Sequence, residues 1–507
     1  MRKSFVTRML SVIMILTMAV SLMVGCGAKE EPVTEEPAAT EEVEKVEEEA
    51  EAEVPAETID LKIYTLMPEQ PGSEAVNEAL NAYTKEKYNM TCDWVYANGD
   101  YAEKMSVIIA SGEEYDACWT SNWSNDYLSN VAKGAFVDIT DMLKDTPDLY
   151  NVMPEAFWNA TKVDGKIYAI PCQQIAARQL CIYMPKEFIE GTGVDATQIS
   201  NFTNILEYAE KANEMYGAKV GCIDGARAFE YAGYEALVGG NTCPVAFKMG
   251  DDTATAVNFY ETEDWKNLAA EIATLESKGL LDNETANDTE LLMTQLKAKK
   301  ISASFSGTVK PGVEAESEGS YGFKFICNGV DTKPYLNTSG IIATTYAISS
   351  TSKNPEATLK YLEIINTDPV CMQMLTHGVE GVNYKKTGDT SIEYIDAKVY
   401  SGWGWAFGNT YNTFTLPGQQ EDLHAATAEL NNNAMASALM GFAFNAEPVK
   451  LQISQVAKVC AEYEDIYTGL LPMEETTAEF NEKLVAAGIN DIIAEAQAQV
   501  DEFLAIK

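Results

Sequence analysis

Three short apolar runs alternate with two amphipathic helical patterns between residues 61 and 119, and that order leaves few folds open. Residues 61–66 (LKIYTL) alternate in polarity and break at Met67-Pro68. From 73 to 87, Ala75, Val76, Ala79, Leu80 and Tyr83 fall on one helical face, and Ser73 is the expected N-cap. A second strand is expected over 91–96, then a helix over 100–111 ended by Gly112, then a third strand over 115–119. A βαβαβ order implies a parallel sheet covered by helices. Ligands of open α/β sheets bind beyond the carboxyl ends of the strands. Residues 67–70 and 120–123 are two such ends, which makes Glu69, Gln70, Asn122 and Trp123 candidate ligand-binding residues.

The N-terminus carries a different signal. Arg2, Lys3 and Arg8 precede a run over 9–24 that only Ser11, Thr17 and Ser21 interrupt. It is short for a membrane span, which needs about 20 residues, and it ends in small residues and a cysteine, as export signals do. Leu22-Met23-Val24-Gly25-Cys26 resembles a bacterial lipobox, with Met23 where leucine is usual. Residues 1–25 are therefore expected to be a cleaved signal peptide and Cys26 the lipidated first residue, anchored at the extracytoplasmic face of the cell membrane. An uncleaved anchor helix would leave the remainder on the same side. Between 29 and 60 the chain has 14 acidic residues, two lysines, three prolines and no aromatic residue. Such a segment buries too little apolar surface to order itself, and like charges extend it. Residues 26–60 read as the lipidated cysteine and an acidic tether.

The whole chain has a net charge of −41, which disfavours binding to nucleic acid, where lysine and arginine must meet phosphate. Roughly 450 residues beyond the tether exceed what one core supports, so two or three domains are expected. Nine cysteines follow Cys26 and none are spaced C-x-x-C, which argues against zinc ribbons and thioredoxin-like redox motifs. They read as reduced, small core residues.

Later motifs narrow the class. Lys162-Val163-Asp164-Gly165-Lys166-Ile167-Tyr168-Ala169-Ile170-Pro171 places a hairpin turn at Asp164-Gly165. Residues 299–308 (KKISASFSGT) are similar to a G-x-x-A-M strand motif, with Lys299 or Lys300 where glycine is usual. In Ser352-Lys353-Asn354-Pro355-Glu356-Ala357, Asn354 caps, Pro355 takes the first helical position and Glu356 meets the positive helix end. Gly378-Val379-Glu380-Gly381-Val382-Asn383-Tyr384, Glu447-Pro448-Val449-Lys450 and Ala487-Gly488-Ile489 follow. In order and combination these passages resemble the family 1 extracellular solute-binding proteins of ABC importers, over roughly residues 60 to 507. The resemblance implies a periplasmic-binding-protein-like α/β fold, with two α/β lobes joined by crossing hinge strands and a ligand cleft between them. The expected division is 61–170 with 330–385 for the N-terminal lobe, and 171–329 with 386–507 for the C-terminal lobe. It further implies a carbohydrate ligand, in particular an oligosaccharide, partner permease subunits of an importer, a monomer, and neither cofactor nor catalytic activity.

No catalytic motif competes with that expectation. His377 and His424 lie outside any H-E-x-x-H pattern, and there is no G-x-S-x-G elbow or P-loop. Gly191-Thr192-Gly193-Val194-Asp195-Ala196 matches G-x-G-x-x-A but reads as a loop before a helix over 201–215. No metal site is expected, including in the acidic loop 282–290. Between 403 and 414, Trp403, Trp405, Phe407, Tyr411 and Phe414 interleave with Gly402, Gly404, Gly408, Asn409 and Asn412. Flat indole rings stack on sugar C–H faces and amides take sugar hydroxyls, so Trp403, Trp405 and Asn409 join the candidates. Gln173, Gln174 and Arg178 lie just past the first lobe crossing, and Arg227 follows a strand pattern over 219–224. A guanidinium offers a planar fork of donors to hydroxyls or a carboxylate. The same residues leave open a surface-anchored glycan hydrolase, a ligand-sensing lipoprotein, or a peptide ligand in place of a sugar.

Overall fold

A computed structural model describes residues 57–286, 288–468 and 473–506. The expected signal peptide, Cys26 and most of the expected tether lie outside the described residues. The first sheet has the strand order Met90–Val95, Ile59–Tyr64, Ala117–Thr120, Thr345–Ile348 and Ile170–Pro171. The first three are parallel, the fourth runs against them, and the fifth pairs antiparallel with the fourth. The βαβαβ expectation holds, and the first strand starts at Ile59, inside the stretch assigned to the tether. The helix Ser73–Tyr88 is capped at Gly72, not Ser73; the Ser73 hydroxyl instead accepts from the Gln70 N–H at 3.0 Å. Asp100 caps the helix Tyr101–Ser111, and Gly112 closes it at φ 69°. The hairpin turns at Asp164 and Gly165, with φ 51° and 78°. Asn354 precedes the helix Pro355–Thr367, but its side chain makes no cap bond.

A second sheet runs Leu281–Asp282, Lys219–Gly221, Ile301–Thr308, Leu180–Pro185 and Phe325–Gly329. Again the first three are parallel, the fourth runs against them, and the fifth pairs antiparallel with the fourth. Gly191 and Thr192 end the helix Lys186–Thr192, which Gly193 caps, so the G-x-G-x-x-A match opens no helix and is not the loop expected there. The helix expected over 201–215 spans Leu206–Tyr216.

Each sheet has its own core. One comprises Leu61 to Ala176 and Leu336 to Leu375, together with Tyr400, Ala406, Phe407 and Met440. The other comprises Leu180 to Val330 and Val449 to Ala496, with few exceptions. The chain therefore crosses between cores three times, near 177–179, 331–335 and 441–448. The third crossing corrects the sequence-based division, which gave all of 386–507 to the C-terminal lobe. Glycine explains the difference. A Cβ on Gly402 would sit 2.0 Å from the Leu375 carbonyl oxygen, and one on Gly408 3.0 Å from Asn366 Oδ1. Without side chains, the segment lies directly on the helices of the first lobe.

Polar bonds gather the crossings. Arg178 and Tyr335 exchange backbone bonds of 2.7 Å in both directions. Tyr335–Leu336 pairs in parallel with Met435–Ala436. Asn431 Oδ1 accepts from the N–H groups of Ala176 and Ala177 at 3.0 and 2.9 Å, and its Nδ2 donates to the Gln174 carbonyl at 2.7 Å. Glu235 Oε2 accepts from the Tyr335 hydroxyl and the Ser437 hydroxyl, both at 2.7 Å.

All nine cysteines after Cys26 are free; eight are buried and Cys327 is half-buried. Burial pushes the thiols of Cys118, Cys172, Cys222, Cys243, Cys371 and Cys460 up to about 12. Since the thiolate is the reactive species, a colorimetric thiol reagent at pH 8 is expected to find at most Cys327 in the native chain from residue 27 onward. Nine equivalents should appear in denaturant. Several fast native equivalents would contradict this packing.

Candidate functional site

The third strand ends at Thr120 and its loop turns on Ser121, whose hydroxyl accepts from the N–H groups of Trp123 and Ser124 at 3.2 and 3.0 Å. This turn directs Trp123 outward, 59 % exposed. Its indole N–H donates to the Ala343 carbonyl at 2.9 Å, so the ring is exposed but held. Behind it lies Trp119, wholly buried, at 5.2 Å between ring centroids. Trp119 also meets Trp405 edge-on at 6.4 Å, and Trp405 stacks on Trp403 at 5.7 Å and 14°. Four indoles thus form a continuous array on the first lobe, with Trp123 and Trp403 (38 % exposed) at its open ends. The sequence reading treated the two halves separately; Trp119, the buried link between them, was counted only as strand.

The second lobe supplies the charges. Trp123 and Asn122 border a cavity of about 250 Å³ whose other walls include Arg178, Glu230, Met249 and Asn337. Arg227, expected in a loop, is the third residue of the helix Gly225–Ala232, which Asp224 caps through the Arg227 N–H. Its Nη1 meets both Glu230 oxygens, at 3.1 and 3.3 Å. The Arg178 guanidinium has no hydrogen-bond partner among the described residues. Burial lowers its pKa, Glu230 raises it, and the Arg227 charge lowers it further. Two guanidinium groups thus share one carboxylate, and Arg178 keeps its five donors for a ligand. Beyond Arg2 and Arg8, these are the chain's only arginines, among many lysines. That scarcity is a signal in the sequence itself. Glu230 was missed, although its spacing of three from Arg227 on a helix is the spacing of an ion pair.

Asn122, Trp123 and Arg178 line this cavity together, and Arg227 lies behind its wall. Other candidates do not line this cavity, and several have partners elsewhere in the fold. Both ends of the Gln70 amide bond the Ser401 backbone, at 2.8 and 2.9 Å, tying the first strand's loop to the aromatic segment. Asn409 is 3 % exposed; it caps the turn at Tyr411 and donates to the Asn366 carbonyl. Glu69 is exposed and accepts from Asn98. The Gln173 carbonyl accepts from Thr410 and the Gln174 carbonyl from Asn431. Asn122 Nδ2 is itself committed to Ser339. Short polar side chains flanking a loop bond the nearest backbone as readily as a ligand. Among the described residues no group of three His, Cys, Asp or Glu is placed to hold a metal.

The aromatic segment is also fixed by a histidine. His377 Nε2 accepts from the Phe414 N–H at 3.2 Å, which leaves Nδ1 as the donor to the Tyr394 hydroxyl at 2.9 Å. Burial, with a smaller push from His424, lowers its pKa from 6.5 to about 3. Burial lowers His424 as well. Between pH 6.5 and about 3 the unfolded chain binds a proton that folded His377 refuses. Its contribution is complete above pH 6.5 and falls as pH drops, by up to about 1.4 kcal/mol per unit. Thermal midpoints measured from pH 7.5 to 4.5 should fall, and less steeply in His377→Gln. Parallel slopes in the two proteins would refute the assignment.

Two α/β lobes bridged by three chain crossings, with a walled cavity where they meet, define a two-lobed ligand-capture protein. The chain belongs to the bacterial extracellular solute-binding proteins, whose family model matches residues 68–369. A family model described as a domain of unknown function matches 438–505. A carbohydrate ABC transporter substrate-binding protein of Streptococcus pneumoniae serotype 4 is 27% identical over 472 residues, 88% of this chain and 91% of that protein. Lipoprotein LipO of Bacillus subtilis is 23% identical over 65% of this chain and 68% of its own length. The fold is that of the N-glycan transport solute-binding protein NgtS from Streptococcus pneumoniae. Its TM-score is 0.79 at 24% identity, covering 88% of this chain and 99% of that one. Against the same protein in complex with Man5GlcNAc the TM-score is 0.66.

Proposed function

We propose that this protein captures an oligosaccharide in the cleft between its lobes and delivers it to an ABC importer without altering it chemically. One observation carries the reading: a held, exposed Trp123 faces the unpartnered Arg178 guanidinium across one cavity. The ring offers a flat apolar face for a sugar's C–H surface, and the guanidinium offers donors for its hydroxyls. The relatives named for carbohydrate and N-glycan transport support the same ligand class. Closure of the lobes about the crossings would complete the site, a population shift bounded by the ligand's preference for the closed form. Anchoring through Cys26 at the extracytoplasmic face, and action as a monomer, belong to this proposal; the lipobox-like sequence and the likeness to a lipoprotein support the anchor.

A thermal-shift screen of the chain from residue 27 onward, against mono- and oligosaccharides and short peptides, tests it. A ligand at a hundredfold excess over its Kd stabilises the native state by about 2.7 kcal/mol. Oligosaccharide hits are expected. Hits confined to peptides would keep the fold and overturn the ligand class. Released reducing ends would instead support a hydrolase.

A further inference from the structure

The cavity beside Trp123 offers about 250 Å³, slightly less than the roughly 300–1,000 Å³ usual for small-molecule sites. Met249 on its second-lobe wall also borders a second recess of about 390 Å³. This recess lies against the second lobe, between the helices Gly225–Ala232 and Glu263–Ser277, beside the crossing at 331–333. Between the two lies a gap of only about 10 Å³, walled by Arg178, Glu230, Met249 and Lys333, so a chain of sugars reaches from one to the other only where these side chains give way. Together their volumes fall inside the usual range; the first alone does not.

The polar groups of the recess suit hydroxyls. Asp264 Oδ2 is held by the Tyr234 hydroxyl at 2.9 Å and by Lys248 Nζ at 2.8 Å. Asp331 Oδ2 accepts from the Asn201 amide at 2.6 Å. The Oδ1 of each has no partner among the described residues, nor has the Asn267 amide. A carboxylate tied by one oxygen presents the other in a fixed direction, and a hydroxyl donating to it makes a charge-assisted bond. Glu271 is different: both its oxygens are taken, by Thr203 and Tyr231. Three carboxylates against Lys248 and Lys333 leave the recess net acidic, so it favours neutral hydroxyl donors over anions. Met249, unbranched and polarizable, is an adaptable surface at the junction.

We infer that this recess is a second carbohydrate subsite adjoining the cleft across Met249, and that the ligand is a neutral oligosaccharide too large for the cleft cavity alone. Sugar residues beyond the one at Trp123 pass over Met249 and donate hydroxyls to Asp264 and Asp331. The inference rests on the carbohydrate reading above. Calorimetric titration with Man1GlcNAc and Man5GlcNAc separates the two. The chain from residue 27 onward is expected to bind the larger glycan at least about tenfold more tightly. Asn267→Trp fills the recess from an exposed helical position, and Asp264→Asn with Asp331→Asn removes its charged acceptors. Each should erase that preference while moving the Kd for Man1GlcNAc less than twofold. A preference that survives both changes, an equal loss for both glycans, or no preference in the unmodified protein would overturn the subsite alone. If neither glycan binds, the same comparison is made between the short and long members of the saccharide series that binds in the thermal-shift screen, with the same outcomes; binding of no saccharide at all would overturn the carbohydrate reading, and the subsite with it.

Discussion

Trp123→Ala is expected to weaken oligosaccharide binding by roughly thirtyfold or more while leaving the fold intact. The ring is mostly exposed, so the native state loses little burial when it is removed. Its interactions are few: one bond to the Ala343 carbonyl and an edge contact with Trp119. For a ligand, however, it is a rigid aromatic anchor at the cavity wall. Truncating such an anchor costs about 2 kcal/mol or more, and 1.4 kcal/mol is tenfold in affinity. Trp123→Phe keeps a flat ring without the indole N–H and should retain part of the binding. Calorimetry with the best saccharide decides. A Kd within about threefold of the unmodified protein would place the sugar elsewhere. Trp119 is unsuitable for this test, because its ring is wholly buried and its N–H bonds Thr344, so removing it damages the core.

The second large effect is expected at the crossings. Asn431→Ala removes four hydrogen bonds at once: two accepted from Ala176 and Ala177, and two donated to the Gln174 carbonyl and the Tyr411 hydroxyl. The backbone N–H groups of Ala176 and Ala177 would be left unpaired beside side chains that are 2 % and 1 % exposed. Each buried unsatisfied group costs about 1–3 kcal/mol, so a total of about 2–6 kcal/mol is expected. The thermal midpoint should fall by several degrees. Asn431→Asp keeps the two accepted bonds but sets a buried carboxylate oxygen against the Gln174 carbonyl, so it should not restore the midpoint. Because the first crossing is then untethered from the helix Leu423–Asn433, ligand-induced compaction seen by small-angle scattering should also weaken. An unchanged midpoint in Asn431→Ala would mean that water replaces the amide and that the bracket contributes little.

Local patterns made much of this protein legible. The first three parallel strands and their helices, the Asp164-Gly165 hairpin and the helix begun by Pro355 all depend on spacing within about 20 residues, where periodicity and turn chemistry act. Three residues of the cavity lining were reachable by the same reasoning: Asn122, Trp123 and Arg178 follow strand ends or a crossing; Arg227, behind the wall, follows a strand and begins a helix. Met249 was not, because a strand-end methionine announces nothing until the opposing lobe is placed, and Glu230 was marked only by its spacing of three from Arg227.

From the sequence by itself came the βαβαβ half-sheet, the presence of an aromatic cluster near residue 400 and, through resemblance to a family, the two-lobed class. Tertiary structure alone decided which lobe that cluster joins and which polar side chains remain for a ligand. Gln70 bonds Ser401, 331 residues away, and Asn431 bonds Ala176 across 255. An amide has the same donors and acceptors wherever it stands. Whether a backbone group or a sugar hydroxyl takes them depends on which distant segment the fold brings within 3 Å. At Gly402 that approach was set by the missing Cβ, a contact that local periodicity does not encode.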